Sequence, residues 1–184
     1  MATTASSAAR SGAEEDDARY WGWRASAERP YPFSYRWEHV QQVVRNGVWL
    51  AQRHEEADAD VVLAACWLHD AKKAEKNHAL RSAEFAQALL ETVDFPREKV
   101  GRVAEAISLH EGLYRPAADW REASGDPFRA APPLRPLEAA LLWDADKLAK
   151  IGPVSHFHFL CWSVAHAVGT ASVLTTLEAH TRNA

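Results

Sequence analysis

Residues 61 to 71 read VVLAACWLHDA, an apolar run that ends in the dipeptide His69-Asp70 and the small residue Ala71. A segment that is apolar on nearly every side predicts a central helix that packs against other helices all round. An ionisable pair at the end of such a helix is costly, because an unpaired charge or an unsatisfied polar group is disfavoured in a protein interior. The sequence therefore predicts a compensating partner for His69 and Asp70.

A divalent metal is one such partner, since it binds a neutral imidazole nitrogen and a carboxylate oxygen together. The other interpretation is a helix end at the surface, where the His and the Asp cap the C-terminus of the helix and pair with nearby groups. The dipeptide alone favours this second interpretation, because short motifs match many unrelated sequences. The choice depends on what else the chain carries.

Five further segments have the spacing of apolar residues that is typical of helices, and they cover about 37–51, 79–93, 96–110, 136–152 and 154–180. In the first of them, Val40, Val43, Val44 and Val48 recur at the spacing of one buried helix face. No segment alternates with period two over the length of a strand. The sequence therefore predicts an all-α fold, a compact bundle of about six helices.

The chain length of 184 residues and the hydrophobic content of 47% suit a single domain with a sizeable core. Residues 1–18 are small, polar and acidic, without an apolar period, so we expect a flexible N-terminal tail there and one helical domain over 19–184. Residues 114–136 hold five of the nine prolines. This segment predicts a long surface connection, either a functional lid or a plain insertion.

The formal net charge is −4, from 21 basic and 25 acidic residues, which argues against a protein that coats nucleic acid or an anionic membrane. Cys66 and Cys161 lie in apolar runs rather than in a CxxC pair, so neither a disulfide framework nor a zinc ribbon is expected. No apolar run is long enough to span a membrane, and no secretory signal is visible. We therefore expect a cytoplasmic protein, for which a homodimer stays open.

Two more elements stand in order around His69-Asp70. The chain reads RWEH at 36–39, LHDAKK at 68–73, NHALRSAEF at 77–85 and WDADKLAKIG at 143–152. The order His, His-Asp, Asp, with each motif on a predicted helix, resembles the HD phosphohydrolase superfamily over about residues 34–152. This resemblance is far more specific than the dipeptide, and it favours the interpretation as a metal site.

The resemblance implies a helical bundle that binds a divalent metal through His39, His69, Asp70 and one Asp of DADKL. Asp144 and Asp146 lie roughly 200° apart around a helix axis, so both can hardly face one ion. Asp144 shares a helix face with apolar residues, whereas the family pattern favours Asp146. We choose Asp146 as the ligand and place Asp144 behind it; such ligands suit Mn, Fe, Co, Ni or Zn.

Five more residues resemble family positions near the substrate. Arg36, Lys73 and Lys147 resemble phosphate contacts, because cationic groups beside a metal neutralise phosphoryl oxygens as charge builds in the transition state. His78 and His110 resemble either ligands of a second metal or residues that contact phosphate and move protons. The alternative for the arginine and the two lysines is that they are solvated surface residues. The alternative for His110 is a core histidine with its hydrogen bonds satisfied.

The resemblance implies hydrolysis of a nucleotide or another small phosphate ester by a metal-activated water. Asp70 would orient or deprotonate the water, and His110 or His78 would protonate the leaving group. The phosphoryl oxygens would be stabilised by Lys73, Lys147 and Arg36. One alternative is a non-catalytic nucleotide-binding helical module. The other is a dinuclear iron oxygenase, whose six ligands would be His39, His69, Asp70, His78, His110 and Asp146.

Overall fold

A computed structural model describes the chain over residues 2–20, 35–111, 134–152 and 155–156. Within these ranges the chain forms helices and no strand, which confirms the predicted all-α class. The helices are α1 (Ala2–Tyr20), α2 (Tyr35–Ala51), α3 (Ala59–Leu68), α4 (His78–Glu91), α5 (Arg97–Ser108) and α6 (Leu137–Ile151). None of the described helices combines the length and the apolar character needed to cross a membrane.

The helix α3 lies at the centre of the bundle and packs against α1, α2, α4, α5 and α6. It begins after Asp58, whose carboxylate accepts hydrogen bonds from the backbone N–H groups of Asp60 and Val61. Buried side chains lie on most of its sides, as the run VVLAACWL predicts. The helix ends at Leu68, three residues earlier than predicted, so His69 and Asp70 occupy the turn that follows it.

Two helices flank α3 closely, and each carries a residue of the predicted metal site. A Cβ atom on Gly47 of α2 would collide with Cys66 Sγ of α3, so the glycine allows the two helices to approach. The helix α6 buries Glu138, Leu141, Leu142 and Ala145 on the face that it turns to the bundle. This packing brings together the first part of α2, which carries His39, the end of α3, and the part of α6 that carries Asp146.

The helices α4 and α5 pack against each other and bring two further histidines to the same end of the bundle. His78 begins α4 and follows Asn77, which has the left-handed conformation, with φ of 58°. Asn tolerates this conformation better than most residues, because its short polar side chain can form local hydrogen bonds. His110 follows the end of α5 and is buried.

The prediction of a flexible tail over residues 1–18 differs from the structure, where α1 packs against α2 and α3. Ala5, Ala9 and Ala13 recur every four residues and are buried, while Gly12 lies so close to the backbone of Ala71 that a Cβ atom would collide with it. A stripe of small residues permits this close packing. Such a stripe is not predicted from the sequence, because helical periodicity is recognised from large apolar side chains.

The predicted helix over 154–180 and residues 114–133 of the predicted connection lie almost wholly outside the described residues. The extent of the domain over 19–184 therefore stays a prediction.

Candidate metal centre

Four predicted ligands converge at the end of α3. The Nε2 atom of His39, on α2, lies 3.1 Å from Asp146 Oδ1, on α6, and 3.9 Å from Asp70 Oδ2. The Nε2 atom of His69 lies 3.6 Å from Asp70 Oδ2 and 3.9 Å from Asp146 Oδ1. All four side chains are at most 5% exposed. The bundle thus places two imidazoles and two carboxylates around one small volume.

The direction of the His69 ring identifies what this volume can hold. Its Nδ1 donates to the backbone carbonyl of Cys66 at 2.9 Å, and a carbonyl only accepts, so in the neutral ring Nε2 presents a lone pair to the carboxylates. Burial lowers the pKa of His69 to about 3, which keeps the ring neutral. The neutral ring is the form that binds a metal.

The two carboxylates complete the set of facing lone pairs. Asp70 Oδ2, Asp146 Oδ1 and His69 Nε2 are buried atoms that no hydrogen bond satisfies within the part of the chain that the structure describes. Burial opposes the ionisation of Asp70, but the nearby charge of Lys73 is the largest of the effects that outweigh burial and hold the pKa of Asp70 well below its ordinary value. A divalent cation fits these residues, because it would satisfy every one of the three atoms.

The structure separates the two aspartates that helical spacing left open. Asp146 is 1% exposed and lies in the cluster, whereas Asp144 is exposed. The placement of Asp144 behind the ligand therefore differs from the structure. The apolar residues that suggested an inward face for Asp144 include Leu148 and Ile151, which are themselves 46% and 52% exposed.

The outer oxygen of Asp146 is held by two lysines of the same helix. Lys147 Nζ lies 2.6 Å and Lys150 Nζ 2.7 Å from Asp146 Oδ2. Lys147 also donates to the backbone carbonyl of His110 at 3.2 Å, and burial lowers its pKa. The sequence analysis missed Lys150, although its position four residues after Asp146 places it one turn along the same face. Two ammonium groups thus fix Asp146 so that Oδ1 points at the imidazoles.

Asp70 also connects the four-residue cluster to a second group. Its Oδ1 lies 3.3 Å from His110 Nε2 and 3.5 Å from His78 Nε2. Candidate ligand atoms of Asp70, His78 and His110 lie within 4.8 Å of one another, as do those of His39, His69 and Asp70. His110 Nδ1 donates to the carbonyl of Ile107 at 2.6 Å. One Asp therefore belongs to two groups that can each hold a metal.

The ammonium of Lys73 lies within the second group. Lys73 Nζ donates to Asp70 Oδ1 at 3.2 Å and lies 2.9 Å from His78 Nε2. Burial, followed by the nearby charge of Lys73, lowers the pKa of His78 to about 4, so the ring accepts the hydrogen bond. Lys73 supplies there the positive charge that a second metal would supply.

The remaining predicted residue is Arg36. It lies on α2, three residues before His39, and its side chain is partly buried. Its assignment as a phosphate contact stays a prediction.

A family model described as HD domain matches residues 36–151 of the chain. The chain belongs to the HD domain family. The matched range contains all four clustered ligands together with Lys73, His78 and His110. HD domains are in general metal-dependent phosphohydrolases, and they bind divalent metals. Comparisons with curated proteins and with solved structures gave no match.

Proposed function

We propose that this HD domain hydrolyses a phosphate ester or anhydride of a nucleotide or of another small phosphorylated compound. One divalent transition metal would be held by His39, His69, Asp70 and Asp146. The observation that carries the proposal is the set of three buried atoms, His69 Nε2, Asp70 Oδ2 and Asp146 Oδ1, that face one another without a hydrogen bond. Two imidazoles and two carboxylates suit Mn, Fe, Co, Ni or Zn.

The lysines lie where a substrate would approach. The side chains of Lys73 and Lys150 are 21% and 30% exposed, and that of Lys147 is 12% exposed, whereas the ligands are almost fully buried. Lys73 lies beside Asp70 and the other two beside Asp146. Ammonium groups on two sides of the centre would neutralise phosphoryl oxygens as charge develops, which is the main requirement of phosphoryl transfer to water.

The reaction needs a nucleophile, a place for its proton and a proton for the leaving oxygen. A bound divalent metal would lower the pKa of a water molecule and polarise the phosphoryl group. Asp70 Oδ1, on the side of Lys73, would orient that water and accept its proton. His110, whose Nε2 lies 3.3 Å from Asp70 Oδ1, would deliver a proton to the leaving oxygen.

The test is release of phosphate or pyrophosphate from a panel of nucleotides and phosphate esters with added Mn²⁺, Co²⁺ or Ni²⁺. We expect turnover by the wild type and a nearly complete loss in His69→Ala and Asp70→Ala. His54→Ala is the matched control, because His54 lies at the surface beside Glu56 and away from the centre. The proposal fails if the wild type cleaves nothing on the panel, or if His69→Ala retains full activity.

A second candidate function is that of a dinuclear iron oxygenase, and the group of Asp70, His78 and His110 favours it. The ammonium of Lys73 within this group opposes it, because two cations would compete for the same acceptors. We expect one iron per wild-type chain and two per chain in Lys73→Met, which keeps most of the length of the side chain and removes its charge. Two irons per wild-type chain, together with substrate-dependent oxygen consumption, would replace the hydrolase with the oxygenase.

A further inference from the structure

The two helices that carry His39 and Asp146 are joined by a hydrogen bond outside the centre itself. Asn46 Nδ2, on α2, donates at 3.0 Å to the backbone carbonyl of Ala145, on α6, across a sequence separation of 99 residues. Ala145 directly precedes Asp146. Asn46 lies seven residues after His39, which is two turns along the same face of α2. The bond therefore joins α6 next to Asp146 to the face of α2 that carries His39.

Asn46 is the last donor in a chain of side-chain hydrogen bonds, and each bond in this chain can have only one direction. Arg45 donates to Gln42 Oε1 through Nη2 at 2.9 Å and through Nε at 3.2 Å. Gln42 Nε2 then donates to Asn46 Oδ1 at 2.8 Å. Because a guanidinium only donates and a backbone carbonyl only accepts, the orientation of both amide groups is determined.

The hydrogen bond from Asn46 to the carbonyl of Ala145 is not needed to form either helix. The carbonyl of Ala145 lies inside α6, where it accepts the bond of its own helix, and Asn46 uses its second lone pair. Apolar packing of α2 is supplied elsewhere, by Val43 and Leu50, which are buried. A shift of α6 by one residue would move Asp146 by about 1.5 Å along the helix axis, enough to disrupt its 3.1 Å approach to His39.

We infer that Asn46 is a positioning residue, whose amide holds α2 and α6 in the register at which His39 and Asp146 share one metal. Gln42 and Arg45 act through it by fixing the orientation of its amide. The inference rests on the metal centre of the proposed function. It adds residues that lie outside the four-residue ligand set of His39, His69, Asp70 and Asp146.

The test is the dissociation constant of Mn²⁺ for Asn46→Asp, measured by isothermal titration calorimetry on the full chain. This substitution keeps the shape of the side chain, removes the donor and places a carboxylate oxygen against the carbonyl of Ala145. We expect binding to weaken about tenfold or more, as is usual for outer residues that orient metal ligands. The added negative charge alone would strengthen the binding of a cation, so a weakening reports displaced ligands.

Two controls separate positioning from charge and from stability. Gln41→Glu adds the same charge on the same helix, and we expect its Mn²⁺ affinity to equal or exceed that of the wild type. Val43→Ala lowers the stability by removing buried methyl groups, and we expect the folded variant to keep the wild-type affinity. Asn46→Asp should be the one variant of the three with a clearly raised dissociation constant.

The inference is overturned if Asn46→Asp binds Mn²⁺ as tightly as the wild type. If Asn46→Asp does not fold, Gln42→Leu replaces it: a weaker Mn²⁺ affinity supports the inference, and an unchanged affinity overturns it. A wild type that binds no Mn²⁺ contradicts the metal centre of the proposed function, and this outcome differs from a wild type that binds well while Asn46→Asp binds equally.

Discussion

At the scale of single residues, metal binding depends on where one lone pair of His69 points. The hydrogen bond from Nδ1 to the carbonyl of Cys66 turns Nε2 towards two carboxylate oxygens, at 3.6 and 3.9 Å. Facing lone pairs in a buried site are unfavourable until a cation joins them, because the low polarity of a protein interior strengthens the repulsion between acceptors that lack a donor. The residue that was hardest to predict, Asp146, completes this set.

The first prediction separates the two aspartates of DADKL. Asp146→Ala should abolish Mn²⁺ binding, because it removes a buried ligand oxygen and leaves Lys147 and Lys150 without their shared acceptor. Asp144→Ala is the matched control, since it removes the same charge from an exposed position. Equilibrium dialysis against Mn²⁺ measures both variants. Loss of binding in Asp144→Ala with retention in Asp146→Ala would reassign the ligand.

The second prediction concerns pH. Burial holds the pKa of folded, metal-free His69 at about 3, against an ordinary value of 6.5. Between these values the unfolded chain binds a proton that the folded chain does not, so the stability contributed here is complete above pH 6.5 and declines as the pH falls. We expect the urea midpoint in EDTA to drop between pH 7 and pH 5, and to drop less in His69→Gln. Equal drops in both proteins would contradict this origin.

At the scale of helices, five of the predicted segments occur within three residues of their predicted bounds. Apolar periodicity suffices for them, because each buries a stripe of aliphatic side chains. It fails for α1, where the buried residues among the described side chains are alanines, and it cannot show that residue 46 lies beside residue 145. Asn46 was not predicted for this second reason, since its role depends on which helices are neighbours. Lys150 contacts Asp146 within one helix, and the spacing of four residues could have indicated it.

The third prediction tests the packing of α1. Gly12→Val places a branched side chain against the backbone of Ala71, which cannot move aside as a flexible side chain would. We expect a loss of about 1–3 kcal/mol in the free energy of unfolding, as is typical of overpacked sites. Ser11→Val introduces the same side chain at an exposed position and is the control. Equal stability of the two variants, measured by urea denaturation, would show that α1 does not pack there.

At the scale of the whole molecule, the centre joins parts of the chain that are far apart in sequence. His39 comes from α2, His69 and Asp70 from the turn after α3, and Asp146 from α6. A ligand that binds only when these segments are assembled stabilises the folded state by mass action. Metal binding and the stability of the bundle should therefore change together.

The most direct test is thermal unfolding of the metal-depleted protein with and without added Mn²⁺, for the wild type and for His69→Ala. At a free Mn²⁺ concentration one hundred times the dissociation constant, the free energy of unfolding of the wild type should rise by about 2.7 kcal/mol, and its melting temperature should be clearly higher. His69→Ala should gain nothing. A wild type whose melting temperature is the same with and without the metal, or an equal rise in His69→Ala, would contradict the metal centre.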